Sequence, residues 1–191
     1  EEMIKAVERL ATQDKVDFIL PPWSTGMNLA AAPIFNKLGY PQLAVTANTN
    51  QALELTKRWP NLTFWLGLPS EIVDGIVETF AKLEKDGKIN KKIAMIAVGD
   101  QFGIELSTAT RAGLKKAGFD LVYDKSYPFG AEDMQPVLKD AQAANPEVLL
   151  AFSYPPDTFA ITDTSKVLGF NPKVFFVGVG TAFPMYKGKF A

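Results

Sequence analysis

The stretch that decides the fold runs from Phe18 to Thr49, FILPPWSTGMNLAAAPIFNKLGYPQLAVTANT. The short apolar run Asp17 to Leu20 reads as a buried strand, followed by Trp23-Ser24-Thr25-Gly26 and an Ala-rich helix over Met27 to Leu38. Gly39 stops that helix and Pro41 announces the next element, so Gln42 to Val45 reads as a second strand running into Thr46-Ala47-Asn48-Thr49. Both strands therefore end in a cluster of small polar residues. In an open α/β sheet, ligands bind beyond the carboxyl ends of the strands, where loops and helix N-termini converge. Ser24 or Thr25 stands where an N-cap belongs, with a hydroxyl able to satisfy first-turn N–H groups. The same N–H groups, backed by the helix dipole, also welcome an anion such as a carboxylate. One such residue reads as a cap; two polar strand ends side by side read as a hydrogen-bonding wall.

Outward from this stretch the pattern repeats. Ile4 to Ala11 has helical spacing, Gln51 to Lys57 reads as a short helix, and Leu62 to Leu66 is an aromatic and β-branched strand. After Leu68-Pro69-Ser70 a new series begins: helix Glu71 to Glu84 with Ser70 as its cap, then the continuous apolar run Ile93 to Val98 of a strand covered on both faces. A loop over Gly99 to Gly103, helix Ile104 to Ala117, strand Leu121 to Tyr127 and helix Met134 to Ala144 follow. Strand Val148 to Phe152, helix Asp157 to Leu168 and strand Val174 to Val177 complete the series, with no closing helix expected after it. This alternation predicts an α/β protein of doubly wound, three-layer lobes with mostly parallel sheets. The chain near Phe64 to Ser70 is the expected crossing, with 1–68 in a first lobe and 69–191 in a second. The abrupt end reads as a fragment of a larger two-lobed protein.

Composition narrows the chemistry. With 191 residues, 47% of them hydrophobic, the chain can bury a substantial core, and a net charge of −1 gives no reason to expect nucleic acid. The lysines of Lys88 to Lys92 read as a solvated turn. Without cysteine or histidine there is no thiolate metal site, disulfide, Cys nucleophile or His-based triad, and no cofactor is expected. No apolar run reaches membrane-spanning length, and Glu1 to Lys5 looks helical rather than like a signal peptide.

The second series also ends its strands in distinctive loops: Gly99-Asp100-Gln101-Phe102-Gly103, Ser153-Tyr154-Pro155-Pro156 and Gly178-Val179-Gly180-Thr181. Phe102 and Tyr154 can pack under their own helices or present rings to a ligand, and aromatic burial favours packing for each taken alone. Gly99 and Gly103 lack the third glycine and downstream acid of a dinucleotide fingerprint, and the glycines at 178 and 180 read as turn residues. Asp100 is a conceivable general base, yet no partner acid, nucleophile or metal cluster lies at a recognisable spacing.

The run Phe18 to Gly26, followed by Ala30-Ala31-Ala32-Pro33, Tyr40-Pro41, Asp100-Gln101-Phe102-Gly103 and Gly113 to Gly118, resembles the branched-chain amino-acid binding proteins of bacterial ABC importers. The resemblance implies two doubly wound lobes joined by a three-strand hinge that close on a small ligand in the cleft between them and deliver it to a membrane permease. It implies a periplasmic or extracytoplasmic protein, monomeric at full length and not an enzyme. Carried over by position, the hydroxyls that hold a ligand carboxylate fall on Ser24 and Thr25, with Thr46, Asn48 and Thr49 as partners and Trp23 beside them. The closing aromatics fall on Phe102 and Tyr154. Amino-acid-binding members tend to carry an acid after the last strand to pair with the ligand ammonium, where this chain has Gly178 to Thr181, with Gly180 a site position. A buried ammonium without a carboxylate is costly, so the expected ligand is a carboxylate lacking an amine, such as an aromatic acid. The alternatives are the ligand-sensing domain of a receptor or transcription regulator and, more remotely, an enzyme built on the same cleft.

Overall fold

A computed structural model describes residues 1–190. The chain forms two compact units, Glu1–Ile72 and Val73–Ala191.

In the first unit α1 (Glu2–Thr12) packs on α2 (Thr25–Leu38), burying Val7 against Ala31 and Phe35. Gly39 ends α2 at φ 78°, where an L side chain is disfavoured, and its N–H returns to the Asn36 and Phe35 carbonyls. The strands β1 (Gln42–Ala44) and β2 (Leu62–Phe64), separated by α3 (Ala52–Arg58), pair in parallel with Gln42 opposite Leu62. Val45, expected to continue the strand, turns away because its N–H bonds the Leu43 carbonyl at 2.7 Å, a tight three-residue turn that ends the ladder. The expected strand Asp17 to Leu20 is also corrected: it pairs with no strand among the described residues. Only Ile19 of its apolar residues is buried, with Phe18 79% and Leu20 93% exposed. An apolar run becomes a strand only where a neighbour completes its ladder.

The second unit is a four-stranded parallel sheet in the order β4-β3-β5-β6, where β3 is Lys92–Val98, β4 Asp120–Tyr127, β5 Val148–Phe152 and β6 Val174–Val177. The central strands β3 and β5 are buried almost end to end, which is why they read as uninterrupted apolar runs. The connecting helices are α4 (Pro69–Lys85), α5 (Gln101–Ala117), α6 (Gln135–Ala143) and α7 (Pro155–Leu168). Since all four strands are parallel, their carboxyl ends share one edge.

Three local expectations change. Ser70 is not the cap of α4: the helix opens at Pro69, whose missing N–H costs nothing in the first turn, and Glu71 reaches back to the Leu68 N–H at 2.8 Å. Gln101 to Gly103 are not loop but the first turn of α5, because Asp100 caps it. The chain after β6 does close with helix: a 3₁₀ turn at Gly180–Ala182 leads into α8 (Pro184–Phe190). Tyr186 and Phe190 pack their rings against Phe159 of α7, and the hydroxyls of Tyr186 and Thr162 lie 3.0 Å apart. Seven residues are too few to show a helical period in the sequence.

Candidate functional site

At the head of α2, Ser24 is the N-cap and its Oγ accepts from the Met27 N–H at 3.3 Å. Its backbone sits at φ 85°, ψ 154°, a region that normally requires glycine. Asn28, fully buried one turn later, holds that backbone in place. Its amide nitrogen reaches the Pro22 carbonyl at 2.7 Å, the Ser24 carbonyl at 2.8 Å and Thr46 Oγ1 at 3.3 Å. Gln42 Nε2 of β1 donates to the Asn28 carbonyl at 2.8 Å. Thr25 is fully buried, and its hydroxyl donates to the Asn48 carbonyl at 3.2 Å and accepts from the Asn48 N–H at 3.2 Å. Thr49 Oγ1 accepts from the Gln51 N–H at 3.1 Å, turning the chain into α3. The loop before α2 and the loop after β1 are thus stitched into one polar cluster, with Trp23 42% exposed beside it.

The strand-end edge of the second unit carries a different cluster. Asp100 caps α5 through Oδ1, which accepts from the Gly103 N–H at 3.0 Å, while its Oδ2 accepts from the Tyr154 hydroxyl at 2.7 Å. Phe102 and Tyr154 stack with ring centroids 5.3 Å apart and planes at 28°. Phe152 meets Phe102 edge-on, and Phe129 does the same to Tyr154. Beneath them Asp157 Oδ2 accepts from the Tyr127 hydroxyl at 3.2 Å and from the Tyr154 N–H at 3.4 Å. Burial pushes the Asp157 carboxyl above the usual carboxylate range against the pull of these two donors, and the nearby Asp100 charge pushes the same way. Burial, and then the Asp157 charge, drive the Tyr127 phenol well above its ordinary value. Ser153 and Thr158 share a hydrogen bond at 2.8 Å. Gly180 lies against Thr158 so closely that a Cβ there would stand 1.9 Å from its Oγ1.

Of the residues singled out in the sequence, Thr25 and Asn48 pair directly, Ser24 and Thr46 meet through Asn28, and Thr49 is next along the loop. Phe102, Tyr154 and Gly180 share the strand-end edge of the second unit. Thr25, Asn48, Phe102 and Tyr154 are all largely buried in the structure. Sequence reading missed Asn28, although a polar residue on the same helix face as Ala31, Ala32 and Phe35 was the available signal. It also missed Asp157 and Tyr127, and gave Asp100 no partner; only the fold brings these groups within reach. Among the described residues no group of acidic side chains converges to hold a metal ion, and no helix is long and apolar enough to cross a membrane.

A parallel sheet flanked by helices, with polar and aromatic groups gathered at its strand ends, is the arrangement of an α/β protein that binds ligands at that edge. The chain belongs to the periplasmic binding protein family, whose model matches residues 1–187. It is 28% identical over 189 residues to the Leu/Ile/Val-binding protein homolog 7 of Brucella suis biovar 1, covering 96% of this chain and 46% of that protein. Two solved structures show the same fold. One is the solute binding protein of an ABC transporter from Rhodopseudomonas palustris BisB5 in complex with 3,4-dihydroxybenzoic acid, with a TM-score of 0.76 and 20% identity, covering 93% of this chain and 47% of that one. The other is a leucine binding protein from Thermotoga maritima MSB8, with a TM-score of 0.71 and 20% identity, covering 93% and 48%. The chain therefore spans about half the length of the relatives it matches. The expected fold class and family are borne out, and these relatives are binding proteins rather than enzymes.

Proposed function

We propose that the chain is part of the extracytoplasmic solute-binding component of an ABC importer, a receptor that closes on a small carboxylate-bearing ligand and presents it to a membrane permease. The observation that carries this reading is Ser24. An N-cap serine ordinarily adopts extended backbone, whereas Ser24 occupies a region that costs about 1–3 kcal/mol for a residue with a side chain. Capping alone does not call for that geometry. Strain of this kind, held in place by a buried asparagine at the head of α2, supports a site built to aim a hydroxyl and a helix N-terminus at a ligand anion.

The ligand in this reading has an aromatic body and no amine. Phe102 and Tyr154 form a stacked aromatic pair at the strand-end edge, Gly178 to Thr181 carry no acid, and the Asp100 and Asp157 carboxylates already accept from protein donors. The relative solved with 3,4-dihydroxybenzoic acid supports this choice, and the leucine binding protein marks the competing one. Calorimetric titration of the protein carrying this chain with benzoate, hydroxylated benzoates and leucine tests it. Binding of the aromatic acids is expected; tight leucine binding with no aromatic-acid binding overturns it.

A further inference from the structure

We propose that the edge of the second unit opposite its strand ends is a docking surface for an anionic lipid bilayer; this goes beyond the solute-receptor reading and uses none of its site residues. In the sequence Lys88, Lys91 and Lys92 form a short charged turn, and the fold sets that turn beside the ends of two helices. Lys85 lies in the last turn of α4, and Lys115 and Lys116 in the last turn of α5. The three segments are tied together. The Lys88 N–H returns to the Leu83 carbonyl at 2.9 Å, the Asp120 N–H reaches the Lys91 carbonyl at 2.8 Å, and the Phe119 ring meets Phe80 of α4 edge-on at 6.5 Å. All six lysines are exposed, and among the described residues none of them is paired with a carboxylate. Of the acids on this edge, Glu147 is already taken by Lys173 at 2.8 Å and by the Asn90 N–H, which leaves Glu84, Asp86 and Asp120 against the six.

The other edge has the opposite sign. The turns that follow the strands, 99–100, 128–134, 153–157 and 178–183, carry Asp100, Glu132, Asp133 and Asp157 and no lysine or arginine. A negative surface is therefore attracted to one edge of the unit and repelled by the other. The kind of cation points to the partner. Arginine's planar fork grips a discrete phosphate or carboxylate through two bonds, whereas lysine is a hydrated point charge. Point charges spread over three segments suit the diffuse potential of a bilayer carrying phosphate head groups, where each one adds to the attraction. Ile89 and Phe119, the apolar residues of the same turns, are buried in the core, so the contact is electrostatic and reversible rather than inserted.

The test is co-sedimentation of the protein carrying this chain with vesicles of phosphatidylcholine alone and with about 30% phosphatidylglycerol added, where a preference for the anionic vesicles of about tenfold or more is expected at low salt. That preference is expected to vanish between about 0.01 M and about 1 M salt, as the screening length shrinks from about 30 Å to about 3 Å. The triple variant Lys88→Glu, Lys91→Glu, Lys92→Glu is expected to bind both vesicles alike. A control triple with the same change in net charge on other exposed lysines, Lys37→Glu, Lys57→Glu, Lys139→Glu, is expected to keep most of the preference. Folding of each is checked by circular dichroism; if the first triple does not fold, the same three lysines changed to glutamine take its place, with most of the preference expected to be lost. No preference in the parent, a preference that resists salt, or equal losses in the two triples overturns the proposal. So does competition by inorganic phosphate beyond that of chloride at matched ionic strength, which marks a discrete anion site. Affinity for aromatic acids is expected to be unchanged in both triples, so this proposal and the solute-receptor reading fail separately.

Discussion

Gly103→Ala and Gly75→Ala add the same methyl group to two helices of the second unit, and the surroundings give them opposite signs. A Cβ on Gly103 would lie 1.9 Å from the Val98 carbonyl oxygen and 2.9 Å from its carbonyl carbon, far inside ordinary carbon contact. Those atoms belong to β3, which is laddered on both sides by β4 and β5 and cannot give way. Relief has to come from α5 moving off the strand end, which breaks the Asp100 cap and disturbs the Phe102–Tyr154 stack. Overpacking costs about 1–3 kcal/mol and a lost cap about 1 kcal/mol, so the expected loss is about 3 kcal/mol. Around Gly75, exposed in mid-α4, nothing lies within 4 Å of the added Cβ. There alanine's better helix propensity is worth a gain of about 1 kcal/mol. With a urea dependence of about 1–3 kcal/mol per molar, Gly103→Ala lowers the midpoint by about 1–3 M and Gly75→Ala raises it by about 0.3–1 M. The three tryptophans all lie in the first unit, so the transition is followed by far-UV circular dichroism and tyrosine absorbance. A parent-like midpoint for Gly103→Ala refutes the close approach, and a destabilised Gly75→Ala refutes the open surface.

Ser24→Gly relieves the backbone strain and loses only the side-chain cap, so the first unit is expected to gain about 1 kcal/mol while carboxylate affinity falls; a gain in stability with unchanged affinity removes Ser24 from the site. Asn28→Ala strips donors from the Pro22 and Ser24 carbonyls in a buried setting and is expected to cost about 2–4 kcal/mol, read by tryptophan fluorescence in urea; a change under 1 kcal/mol denies Asn28 its role as the hub. Because burial raises the Asp157 carboxyl above its ordinary value of 3.8, the folded state favours its neutral form. Its contribution to stability is complete below that ordinary value and is lost as pH rises through the folded one. Asp157→Asn is therefore expected to be most stable relative to the parent near neutrality, with the advantage shrinking as pH falls toward 4. Urea midpoints that run parallel across that range contradict the assignment.

The legible parts of the fold are those whose cause is local. Val148 to Phe152 and Val174 to Val177 match their strands residue for residue, and Gly39, Gly118 and Gly169 end helices at positive φ as their positions announce. The misreadings share a cause as well. Asp17 to Leu20 has the composition of a strand but no ladder partner among the described residues, and Val45 is drawn out of β1 by a bond to Leu43. Gln101 to Gly103 look like loop until Asp100 is seen to cap the turn they form.

By itself the sequence determined the alternation of strand and helix in the second unit, the parallel sheet there and the loops that follow β3, β5 and β6. These follow from periodicity, apolar runs and turn residues, which act over a few positions. Only the tertiary structure decided what those residues do to one another. Asn28 ties Ser24 to Thr46, Asp100 accepts a hydrogen bond from a tyrosine 54 residues away, and Asp157 meets Tyr127 across 30. Hydrogen-bond direction and burial depend on which groups the fold brings within about 3 Å, and no local pattern in the chain carries that distance.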